Sequence, residues 1–103
     1  MDGDRLLDAL GNEHARAVLA ETVDEPRSVD DLTRAIGASQ PTVYRQVETL
    51  CDLDLLEERH GYDDGTHYQT YLARVERLEL ELTRDGFVVA APDRSEGSGP
   101  VPR

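Results

Sequence analysis

Lysine and tryptophan are absent from this chain of 103 residues, and cysteine, methionine and phenylalanine each occur once. With Cys51 alone, no internal disulfide can form, so packing must hold the domain together. No apolar stretch approaches the length of a signal peptide or a membrane span, which predicts a soluble, cytoplasmic protein with no membrane partner. Also missing is the inventory of a reaction: there is no nucleophile with a base and an orienting group, no phosphate loop, and no paired carboxylates in a setting that would raise a pKa. Neither an enzyme nor a cofactor is expected. What the chain has in excess is acid. It carries 22 Asp and Glu against 11 basic residues, all of them arginine, for a net charge of −11. A chain of this size is one domain with a modest core that a partner copy would help to complete.

Residues 28–59 are the most informative stretch and read as helix, tight turn, helix, then a strand opening a hairpin. Leu32, Ala35 and Ile36 fall on one face of the first helix, which stops at Gly37, where a left-handed backbone is available. Ser39 is a good N-cap, and Pro41 sits in the first turn of the next helix, where its missing N–H costs nothing. That helix, residues 40–50, buries Val43, Val47 and Leu50 and leaves Gln40, Thr42, Tyr44, Arg45, Gln46 and Thr49 outward. Such a pair is a helix-turn-helix whose second helix can lie in a DNA major groove.

Around this unit, residues 5–10 form a short helix with Leu6, Leu7 and Leu10 inward. Asn12 caps a second helix over residues 13–22, with Ala15, Val18 and Leu19 buried and His14 on its side. Pro26 lies in a loop, and residues 27–29 add a short strand to the wing sheet. Residues 53–59 run into the first wing strand, HGYDDGTH is the wing turn, and residues 67–72 return as the second strand. Beyond Ala73 two patterns compete. Leu72, Val75, Leu78 and Leu82 fit a helix over 74–82, but Leu78, Leu80 and Leu82 alternate with Glu79 and Glu81 ahead of a turn at residues 83–86. The alternation favours a hairpin pairing residues 77–82 with 87–90. The fold class is therefore α+β, a winged helix-turn-helix with an extra C-terminal hairpin, over residues 1–91. Residues 1–4 are expected to fray, and the Pro/Gly/Ser-rich segment 92–103 to be disordered.

The run IGASQPTVYRQVETLCDLDLLEER resembles the recognition helix and wing of the ArsR-type winged helix-turn-helix repressors, and LLDALGNEHARAVLAETV resembles that family's opening. The resemblance spans residues 5–59 and implies a homodimeric transcriptional regulator. Two departures stand out. Metal-sensing members carry cysteines where this chain reads Val29-Asp30-Asp31-Leu32, and Asp54 occupies the usual glycine before the wing's paired leucines. Aspartate tolerates the left-handed conformation well enough for that turn to survive.

Each outward residue of the second helix has a role at DNA. Gln40 and Gln46 suit adenine edges, Arg45 suits guanine or phosphate, and Ser39, Thr42 and Tyr44 suit phosphates, with Pro41 and Thr49 on the same surface. An ordinary solvated face is the bland alternative, but this one holds a single acid, Glu48, in a chain about a fifth acidic. From the wing, Arg59, His60, Tyr62, Thr66 and His67 would flank the backbone or probe the minor groove. Asp63 and Asp64 at the tip would repel phosphate unless a cation bridges them. No metal site is expected: His60, Asp63, Asp64 and His67 are close in sequence, but two histidines across a turn without a thiol make a poor ligand set. Cys51 reads as a half-buried residue at a helix end, with an intermolecular disulfide as the sharper alternative. The expected dimer surface joins Leu6, Leu7 and Leu10 to Leu78, Leu80, Leu82, Phe87 and Val89, more apolar area than a winged helix alone covers.

A charge of −11 contradicts the basic footprint of a DNA binder. Either the domain is an acidic protein-interaction module without specific DNA contact, or its surface is adapted to molar salt, where repulsion is screened over a Debye length of only about 3 Å. The acids are dispersed along the chain rather than massed in a block, which suits solvation, with bound cations as partners at high salt. In this respect the chain resembles the short winged-helix regulators of halophilic archaea.

Overall fold

The computed structural model describes residues 3–63 and 65–90, the side chains at 63, 66, 67 and 90 excepted. Four helices, α1 (Gly3–Leu10), α2 (Glu13–Thr22), α3 (Val29–Ile36) and α4 (Gln40–Asp52), precede two antiparallel hairpins. The hairpins are β1 (Leu56–Asp63) with β2 (Thr66–Ala73), and β3 (Glu79–Thr83) with β4 (Gly86–Ala90). The C-terminal segment is thus a hairpin and not a helix. Of the four residues expected to fray, Gly3 and Asp4 instead open α1, while residues 1 and 2, the wing tip at Asp64 and the segment 92–103 lie outside the described residues.

Local chemistry sets the helix ends. Asn12 accepts from the His14 and Ala15 amides at the head of α2. Ser28 caps α3 in a reciprocal box with Asp31, a Ser-x-x-Asp signature that the sequence carries plainly. Gly37 ends α3 at φ 79°, its N–H donating to the Thr33 carbonyl. Asp54 is the one described non-glycine residue at positive φ, 61°, and it turns the chain out of α4 so that Leu55 and Leu56 enter the core.

The core gathers Leu6, Val18, Leu32, Val43, Val47, Leu50 and Leu55, all essentially inaccessible, and Tyr71 from β2 closes it. Two expectations are corrected here, and one buried residue is added. Leu6 is fully buried inside the protomer and cannot form a dimer surface, whereas Leu7 and Leu10 are only half-buried. Ala35 is exposed, because α3 presses inward through Leu32 and Val29, and Ile36 reaches the core only partly. Thr22, fully buried, joins α2's inner face by donating its hydroxyl to the Val18 carbonyl at 2.8 Å.

The wing is longer than its turn signals imply. β1 and β2 stay in register from Leu56↔Ala73 to Asp63↔Thr66, so His60, Gly61 and Tyr62 are strand residues rather than part of an eight-residue turn. Gly61 explains how the ladder passes a glycine. Tyr68, directly opposite, lays its ring where a side chain would be, and a Cβ on Gly61 would stand 2.8 Å from Tyr68 Cζ. The expected short strand before α3 is reduced to one bridge, in which Arg27 and Tyr71 exchange backbone hydrogen bonds of 2.9 and 2.8 Å. The second hairpin rests on α1: a Cβ on Gly3 would lie 3.0 Å from the Phe87 carbonyl oxygen. Leu78 and Val89 lean on the core, but Leu80 (55%), Leu82 (73%) and Phe87 (49%) remain exposed.

Candidate nucleic-acid interface

The second helix of the motif, α4, starts cleanly and shows one long side to solvent. Ser39 accepts from the Thr42 amide and donates to the Thr42 hydroxyl at 2.9 Å, with Pro41 beside it in the first turn. Pro41, Tyr44 and Arg45 project outward, Gln40 lies at the edge of that face, and Thr42 and Thr49 are half-buried. Arg45 makes no ion pair with any described residue, so its guanidinium is open to a ligand. Gln40 is less free. Its Nε2 donates to Asp30 Oδ1 at 3.0 Å, which ties the head of α4 to α3.

Gln46 departs from expectation, being only 8% exposed. It stands three residues after Val43 and four before Leu50, which places it on the inward stripe of a 3.6-residue helix. A base-reading role for Gln46 is thereby withdrawn.

Arg59 and His60 project from the wing but are engaged by acids of their own strand, Arg59 Nε lying 3.3 Å from Glu57 and His60 Nε2 3.9 Å from Glu58. Such exposed pairs contribute little and can open for a phosphate. Tyr62 is the most exposed described aromatic residue, at 76%. The side chains of Thr66 and His67 lie outside the described residues, as do those of Asp63 and Asp64 in the weighed metal set. Among the described residues, no three His, Cys, Asp or Glu side chains are grouped to hold a metal ion.

The surface is also more acidic than expected. α4 continues to Asp52, so a second exposed acid joins Glu48, while Asp30, Glu57 and Glu58 stand on the neighbouring elements. Glu48, Asp52 and Glu58 lie near two titratable groups between α4 and the wing. Burial pushes the Cys51 thiol up, with Glu58, Asp52 and Glu48 adding to it, which keeps the thiol protonated and counts against a redox switch. Burial likewise raises Tyr71 from 10.0 to about 12, with Glu58 the next contributor.

Helix, left-handed turn, capped second helix and a long β-hairpin after it define a winged helix-turn-helix domain. Residues 10–59 match the family described as a helix-turn-helix domain, which supports a place among winged helix-turn-helix regulators and points to DNA binding. The chain is also 33% identical, over 94 residues, to the valine–tRNA ligase of Carboxydothermus hydrogenoformans. That similarity covers 86% of this chain but 10% of the ligase, so it brings no ligase activity with it. No helix among the described residues is long and apolar enough to cross a membrane.

Proposed function

We propose that the protein is a cytoplasmic, sequence-specific transcriptional regulator of the ArsR-like kind, working as a homodimer on a pseudo-palindromic operator in molar salt. The observation that carries this reading is α4 itself: the second helix of the motif, capped at Ser39, holds Tyr44 and an ion-pair-free Arg45 toward solvent. Two copies would set these helices in successive major grooves about 34–36 Å apart, with Arg59, His60 and Tyr62 of each wing beside the backbone. The exposed Leu80, Leu82 and Phe87 supply the self-complementary surface such symmetry needs. Asp30, Glu48, Asp52 and Glu58 stand around Tyr44 on that side, and in molar salt their repulsion of phosphate would be screened or bridged by cations.

Binding to genomic fragments across a KCl series tests this. One palindromic sequence should be enriched, with affinity flat or rising through the molar range and folding weakened below it. A steep negative salt slope from dilute solution upward, on a well-folded protein, would defeat the salt adaptation. Retention of a protein partner with no enriched sequence would defeat the DNA assignment.

A further inference from the structure

Asp30 is an exposed carboxylate in the first turn of α3, in the same groove as Tyr44 of α4, and it makes no ion pair with any described residue. An acid at that place ordinarily complements the helix dipole, and its neighbour already fills the role. Asp31 closes the capping box with Ser28 and bonds Arg34 at 2.8 Å. Asp30 instead reaches across to the second helix, its Oδ1 accepting from Gln40 Nε2 at 3.0 Å.

That bond decides which end of the Gln40 amide faces which way. A carboxylate only accepts, so it is the NH2 end that turns to Asp30, whereas a hydroxyl or a second amide would take either end. One of the two Nε2 hydrogens is used, which leaves the other, and the Oε1 oxygen accepts from no described residue. A donor beside an acceptor is what the N7 and N6 edge of adenine requires in the major groove. Gln40 is also the first residue of α4, and the N-terminal residues of such a helix are the ones that reach base edges. With Gln46 turned inward, Gln40 is the one amide side chain that α4 has for this task.

We infer that Asp30 is a positioning residue for base recognition: by holding Nε2, it sets the second amide hydrogen and the Oε1 of Gln40 toward adenine before DNA arrives. The inference rests on the DNA-binding reading proposed above. A free glutamine side chain gives up its rotamer freedom when it binds a base, and a tethered one has already given up part of it. Once a duplex displaces the surrounding water, the tethering bond strengthens. The carboxylate's own repulsion of phosphate falls on every sequence alike, so it lowers affinity without lowering discrimination.

The test selects a randomised duplex library, in KCl that keeps the protein folded, with the full chain and with D30A, Q40A, D30A/Q40A and E48Q. The parent chain should enrich adenine at one position of each half-site by about five- to 150-fold over other bases. Q40A should lose that preference and no other. D30A should reduce it about three- to tenfold at the same position, and the double variant should lose no more than Q40A alone. A merely structural role for Asp30 would weaken all sequences together and leave the ratio intact. E48Q removes an equal charge further along α4, with no bond to Gln40, and should leave the adenine ratio unchanged. If the parent enriches a sequence but Q40A or D30A keeps the full adenine preference, the positioning role is overturned and the DNA reading stands. A preference that grows in D30A would mean that the carboxylate withholds Gln40, and an equal loss in E48Q would reduce the effect to charge; either overturns the inference. If the parent enriches no sequence, the DNA reading itself fails and takes the inference with it.

Discussion

Replacing Leu80 and Leu82 by aspartate together is the sharpest test of the proposed dimer. Both leucines are on the exposed side of β3, opposite Val89 and Phe87, with 55% and 73% of their surface open, so neither carries the protomer's own core. The double variant should therefore fold, with a melting temperature close to that of the parent chain. Fully burying a leucine contributes about 1.5–3 kcal/mol, so covering what remains exposed on these two is worth roughly 1–2 kcal/mol each. A two-fold interface uses every residue twice, which brings the loss to about 4–8 kcal/mol before the four added carboxylates repel one another. That corresponds to a dissociation constant weakened at least about a thousandfold. Sedimentation equilibrium in molar KCl reads this directly as conversion from dimer to monomer. A folded double variant that still sediments as a dimer would place the interface elsewhere and refute the assignment of this face.

Arg45→Ala should leave folding unchanged and lose about 1–3 kcal/mol of discrimination at particular operator base pairs, measured by competition among single-base operator variants. Tyr71 has a folded-state pKa raised to about 12 from 10.0, so the folded form holds its proton longer than the unfolded form does. The resulting stability is present below pH 10 and is lost as pH rises toward about 12; Tyr71→Phe should remove that late phenolate absorbance step and the matching fall in stability. At φ 61°, Asp54 is replaceable by glycine with little change or a small gain, whereas Asp54→Ala should cost about 1 kcal/mol in chemical denaturation. Equal stabilities for the two variants would mean that this turn carries no strain.

Features decided within a few residues were legible in the sequence. Asn12, Gly37, Ser39 and Pro41 act on their own helix ends, and Asp54 adopts the left-handed conformation that its place before the wing required. The alternation of Leu78, Leu80 and Leu82 identified the second hairpin against a competing helical pattern. What stayed hidden depends on what each face meets. Ala35 falls on the apolar side of its helix yet is exposed because no neighbouring element closes over it, and Thr22 is buried because others do. The surroundings of Tyr71 were out of reach for the same reason: it comes beside Glu48 and Cys51 only once β2 folds back next to α4, some twenty residues later.

The paired hydrogen bonds between Arg27 and Tyr71 make the wing something other than an appendage. They fasten the segment entering α3 to the second strand of the wing, at a point one residue before the Ser28 cap. The wing is therefore anchored to the start of the helix-turn-helix by backbone bonds and not hung from it by a loose loop. A second tie lies close by: Gln40's bond to Asp30 joins the first turn of α3 to the head of α4. Wing and second helix are thus linked through the first turn of α3.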